Sequence, residues 1–128
     1  MRLLLDTHAF LWWLAGDRSL PKSARAAVGA DDSTVFVSAA SSWEIATKFR
    51  IGKLPGAQVI VHDIAGAVAS QAFSTLPITV VHAQRAGLLP GAHRDPFDRM
   101  LAAQAQAEGL TIVSNDRIFD EYGVSRLW

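Results

Sequence analysis

The apolar positions of this chain recur in two rhythms, one of strands and one of helices. An unbroken run, Leu3 to Leu5, opens it and reads as a short buried strand, after which Phe10, Leu11, Trp13 and Leu14 recur at helical spacing over 7–14. Gly16 and Asp17 break that helix, and Pro21 suits the first turn of the next, which Ala24 to Val28 continue to Gly29. β-branched and aromatic residues at 34–37 predict a second strand. Ser38 is placed to cap a helix with Trp43, Ala46 and Phe49 on its buried side and Glu44 beside that stripe, ending at Gly52. Ile60, Ile64, Val68 and Ala72 predict one helix over 59–73, followed by a third strand at 77–81 and a short helix at 82–89. Asp95 as cap and Pro96 in the first turn start a helix that runs to Glu108 and stops at Gly109. A strand at 111–113, a short helix at 115–122 and a last strand at 124–127 complete the pattern. Strands alternating with helices predict an α/β domain, a parallel sheet covered on both faces.

Composition narrows the picture. The 128 residues, half of them hydrophobic, suit one domain over 1–128, and no linker, repeat or low-complexity segment divides them. The absence of cysteine excludes disulfides, thiolate nucleophiles and cysteine-bound zinc or iron–sulfur centres, and fits a cytoplasmic location. Charges and glycines interrupt every apolar stretch short of a bilayer span, and no signal-peptide pattern precedes Asp6. Twelve acids balance twelve bases. Their distribution says more than the total: Lys48, Arg50 and Lys53 follow Glu44, and Arg94, Arg99 and Arg117 flank the later acids, as a phosphate-contacting rim would require.

Four carboxylates carry the candidate chemistry. Asp6 closes the first strand, Glu44 follows the second, Asp98 lies in the first turn of the helix before the fourth, and Asp116 follows the fourth. In an open parallel sheet, ligands bind beyond the carboxyl ends of the strands. Carboxylates gathered there repel one another unless a hard divalent cation lies among them, and oxygen-only ligation points to Mg2+ or Mn2+. Each acid also has a structural reading. Asp95 reads as a helix cap, Asp120 and Glu121 as solvated charges, and Asp98 could merely face the helix dipole.

At these residues the chain resembles the PIN-domain ribonucleases, most closely the VapC toxins of bacterial and archaeal type II toxin–antitoxin pairs. The resemblance rests on Leu3-Leu4-Leu5-Asp6-Thr7-His8, Ser38-Ala39-Ala40-Ser41-Ser42-Trp43-Glu44-Ile45, the stretch from His93 to Ala105, and Ser114-Asn115-Asp116-Arg117-Ile118-Phe119. It implies a three-layer α/β/α sandwich, Mg2+- or Mn2+-dependent endonucleolytic cleavage of RNA, a homodimer, and a cognate VapB-type antitoxin that blocks the site. Asp6, Glu44, Asp98 and Asp116 match the family's acidic metal-binding set. Thr7 and Ser114 match hydroxyls that orient the acids, although many relatives have threonine where Ser114 stands. On this reading Asp6 and Asp98 are the direct ligands, Glu44 and Asp116 act through water, and Lys48 and Arg99 contact phosphate.

Other readings make separable expectations. His8 and His93 lie near acids and could serve metal-free acid–base cleavage, which would survive chelation. A receiver-type signalling module needs an acidic pair after the first strand and a lysine after the last, but Thr7 follows Asp6 and the lysines are Lys22, Lys48 and Lys53. A PIN-like nuclease acting on DNA, or a catalytically silent interaction module, completes the set. Trp12, Trp13, Trp43 and Phe49 are expected to pack in the core or a dimer interface rather than to stack on bases.

Overall fold

A computed structural model describes residues 1–128. Five strands, β1 (Arg2–Leu5), β2 (Thr34–Ser38), β3 (Ser74–Leu76), β4 (Thr111–Val113) and β5 (Arg126–Leu127), form one sheet in the order β3-β2-β1-β4-β5. Every neighbouring pair is parallel, and β1 lies at the centre, with Leu5 paired to Val37 on one side and to Val113 on the other. Parallel strands demand crossovers, and these are helical: α1 (Thr7–Ala15), α2 (Lys22–Gly29), α3 (Ala39–Arg50), α4 (Ile64–Ser70), α5 (Val80–Leu88), α6 (Pro96–Glu108) and α7 (Ile118–Glu121).

The pleat divides the core in two. Leu3, Leu5, Val35, Val37 and Val113 pack with Phe10, Ala24, Val28, Ile45, Ile64 and Val68 on one face. Leu4 and Ile112 point the other way, against Ala40, Leu101, Ala102, Ala105 and Phe119. The result is the expected α/β/α sandwich. Leu3, Leu4, Leu5 and Phe10 have no exposed surface, and each such side chain stabilises the fold by roughly 2 kcal/mol relative to an exposed one.

Several local expectations give way. The third strand is Ser74–Leu76, not 77–81, because Pro77 has no N–H for the ladder, and Thr79 instead opens α5 through a capping box with His82. The helix expected over 59–73 becomes a 3-10 turn at Pro55–Val59 and the short α4, which starts only after Asp63 caps it through Gly66 N. The last helix and strand are trimmed to Ile118–Glu121 and Arg126–Leu127.

α3 is turned differently from its apolar stripe. Its buried residues are Ala40, Ser41, Glu44 and Ile45, while Trp43 is 60% exposed and meets Phe97 edge-on. Trp12, Trp13 and Phe49 are half-buried against the core. No helix is long and apolar enough to cross a membrane.

Candidate active site

The site forms where β1 and β4 lie side by side and the chain departs from them in different directions, a topological switch point. Asp6 leaves β1 there: its N–H donates to Val113 O at 3.1 Å, and its Oδ1 accepts from Ala9 N at 2.8 Å, capping α1. Asp6 thereby both closes the strand's run and caps the helix that follows. Burial pushes the Asp6 carboxyl above its ordinary range and the charge of Glu44 adds to that, against the hydrogen bonds of Ser114 and Ala9 and the charge of His8.

Thr7 is buried, and its hydroxyl donates to Glu44 Oε1, while Ser41 Oγ lies 3.1 Å from the Thr7 hydroxyl oxygen. Glu44 is only 6% exposed, and its other oxygen, Oε2, pairs with the ammonium of Lys48 one turn further along α3. The inward turn of α3 thus buries a carboxylate with a hydroxyl and an ammonium attached, which is how a buried charge is tolerated.

Asp98 projects from the first turn of α6, where Asp95 Oδ1 accepts from the N–H groups of Phe97 and Asp98 and caps the helix as expected. His93 Nε2 lies 3.0 Å from Asp98 Oδ2. The Asp98 carboxyl is pushed up to about 6, chiefly by burial and then by the negative fields of Asp95, Asp116 and Glu44, with the His93 hydrogen bond opposing. Asp116 is more exposed; its Oδ1 accepts from Ile118 N at 3.0 Å, and its N–H donates to the fully buried Ser114 Oγ at 2.9 Å.

The four acids thus come from four segments, and Glu44 acts electrostatically on both Asp6 and Asp98, with Asp116 acting on Asp98 as well. No three His, Asp or Glu side chains close into a cage that would hold a metal without help. A hard cation needs no such cage, since Mg2+ keeps several waters and takes one or two carboxylates from the protein. Carboxylates crowded in this way, with burial raising those of Asp6 and Asp98 above the ordinary range, fit such an ion, and the oxygen-only donor set fits Mg2+ or Mn2+ over softer metals.

Arg99 departs from expectation. Its guanidinium donates to the carbonyls of His93, Ala86 and Leu89, at 3.2, 2.9 and 2.6 Å, so it ties the segment between α5 and α6 and is spent on backbone rather than held out towards phosphate. Lys48 remains at the rim of the acidic group, within the field of Asp95 and Asp98 as well as Glu44. Sequence reasoning missed Ser41, for which the signal was its place one helical turn before Glu44. It also missed the hydrogen bond between His93 and Asp98, which the intervening Pro96 turn hid.

A family model of the PIN domain matches residues 3–124. The chain belongs to the PIN domain family. Solved structures similar to this PIN domain include VapBC2 from Rickettsia felis bound to a DNA fragment from its promoter, with a TM-score of 0.69, 16% identity, and 99% of this chain and 98% of that one covered. DNA-bound VapBC from Salmonella typhimurium superposes with a TM-score of 0.68 at 18% identity, covering 99% and 97% of the two chains. Mycobacterium tuberculosis VapC20, described as a Sarcin-Ricin loop cleaving toxin, gives 0.63 at 15% identity, with 95% of each chain covered. At such identities the likeness establishes the fold of this PIN domain. No curated protein sequence matches it.

Proposed function

We propose that this PIN domain is a VapC-type toxin, an endoribonuclease that cleaves RNA phosphodiesters with Mg2+ or Mn2+. The observation that carries the reading is the convergence of Asp6, Glu44, Asp98 and Asp116 at the sheet's switch point, with Asp98 held up to about 6. Asp6 and Asp98 are assigned as direct ligands. Glu44 and Asp116 orient water, Thr7 and Ser114 hold the acids in place, and Lys48 meets phosphate once it is released from Glu44. Bound there, the cation lowers the pKa of a coordinated water and offsets charge growing on phosphate oxygens. On this reading Arg99 serves the fold rather than the substrate, because both its terminal nitrogens donate to carbonyls.

Two further expectations belong to the same reading. A VapB-type antitoxin is the assigned partner, supported by the many similar structures that are toxin–antitoxin complexes and by an apolar groove of about 430 Å³ lined by Leu11, Trp12, Leu14, Leu54, Pro55 and Ile60. A homodimer is assigned as well. Its apolar surface is α5, where Val80 is 84% and Leu88 75% exposed, rather than the half-buried Trp12, Trp13 and Phe49.

The test is cleavage of matched RNA and DNA oligonucleotides with Mn2+ and with excess EDTA. Cleavage of RNA that disappears on chelation is expected. Equal cutting of DNA would change the substrate, undiminished cutting in EDTA would favour a route through His93 and Asp98, and no cutting of either would leave a silent interaction module.

A further inference from the structure

The motif that opens α6 continues to Gln104, which the proposed chemistry leaves without a role. Gln104 has no exposed surface, and every polar atom of its amide is engaged. Its Oε1 accepts from Ser38 Oγ at 2.6 Å, and its Nε2 donates to Pro77 O at 3.3 Å and lies 3.4 Å from His82 Nδ1. Ser38 is itself buried at the end of β2, and its Oγ also accepts from Ala40 N at 2.9 Å, capping α3. One amide on α6 therefore grips the residue from which α3 starts.

That grip connects the two helices that carry acids. Glu44 rides on α3 and Asp98 on α6, and their charges already act on each other. On the buried side, Ala40 of α3 shares one apolar cluster with Leu101, Ala102 and Ala105 of α6, while at the outer edge Trp43 meets Phe97 edge-on. Small alanine side chains set the separation of two helices more than their register, and on this buried side the bond between Gln104 and Ser38 is the directional contact. A buried directional hydrogen bond fixes register, as a single buried polar residue does in a coiled coil.

We propose that Gln104 is a positioning residue: through Ser38 it sets the register of α6 on α3, hence the spacing of Asp98 and Glu44, and so the affinity of the site for a divalent cation. The inference rests on the metal-site reading given above. Neither Gln104 nor Ser38 touches the cation on this account. Residues that orient ligands in this indirect way commonly govern metal affinity by about tenfold to a hundredfold.

The test is a double-mutant cycle read by isothermal titration of the full chain with Mn2+, in the absence of any substrate. Gln104→Met keeps volume but removes the acceptor, and Ser38→Ala removes the donor. Each is expected to weaken Mn2+ binding about tenfold or more, and the double variant to be no weaker than either alone. Ser38→Thr retains the hydroxyl and is expected to bind within about twofold of the unaltered chain. Circular dichroism checks the fold; if Gln104→Met does not fold, the contrast between Ser38→Ala and Ser38→Thr decides alone. Unchanged affinity in folded variants, or losses that simply add, would overturn the proposal while leaving the metal site intact. No Mn2+ binding by the unaltered chain would overturn both.

Discussion

The hydroxyl of Thr7, the first residue of α1, donates to Glu44 Oε1 on α3, 37 residues further along the chain. The bond crosses the interior between two helices that leave neighbouring strands, and it satisfies a carboxylate that is almost fully buried. Thr7→Val keeps the shape and removes the donor. It is expected to cost roughly 1–3 kcal/mol, because a buried charged acceptor loses its partner. Thr7→Ser should recover most of the loss. Urea unfolding of the three proteins checks this, and a Thr7→Val protein as stable as the parent would remove Thr7 from the support of Glu44.

Asp98 makes a prediction about pH. Its folded pKa of about 6 lies above the unfolded value of about 3.9, so between these the folded chain binds the extra proton. Its contribution to the stability of the metal-free protein is therefore complete below about pH 4 and is lost as pH rises through about 6. Asp98→Asn removes the charge that costs stability. In EDTA at pH 7.5 it should melt at least as high as the unaltered protein, while losing Mn2+ binding. Because the metal competes with that proton, Mn2+ affinity should fall about tenfold per pH unit below 6. Thermal melts and Mn2+ titrations at pH 5 and 7.5 read both effects, and a pH-independent affinity would count against Asp98 as a ligand.

Arg99 is expected to matter for stability and not for substrate. Its hydrogen bonds to the carbonyls of Ala86, Leu89 and His93 hold together the segment that presents His93 to Asp98. Arg99→Met should cost about 2–4 kcal/mol, and Arg99→Lys should recover little, because an ammonium cannot reproduce the guanidinium fork. Amide hydrogen exchange over 89–95 should quicken in both variants. Unchanged exchange combined with a raised KM for RNA would return Arg99 to the phosphate-contacting role.

Much of this architecture was legible in the sequence because the central strands carry short apolar runs, Leu3 to Leu5, Val35 to Val37 and Ile112 to Val113, and because the caps Ser38 and Asp95 are side chains of the expected kind. Asp6, Glu44 and Asp116 stood out because they come after strands, and Asp98 because it opens the helix that Asp95 caps. What failed did so for local reasons. The run from Ile78 to Val81 looks like a strand, yet Pro77 and the cap at Thr79 turn most of it into the start of α5, where Val80 is left exposed. The stripe of Trp43, Ala46 and Phe49 misled because the inner side of α3 is occupied by Ser41 and Glu44, polar residues that periodicity assigns to solvent. The hydrogen bonds of Arg99 were not legible either, because sequence cannot show three carbonyls curling back onto one guanidinium.

The central claim is that one hard cation sits between Asp6 and Asp98. Anomalous diffraction from crystals grown with Mn2+ tests it most directly. The account predicts a manganese peak about 2.0–2.3 Å from a carboxylate oxygen of both Asp6 and Asp98, with Glu44 and Asp116 reaching it directly or through water. A peak held by histidine nitrogens, or one away from the ends of β1 and β4, would contradict it.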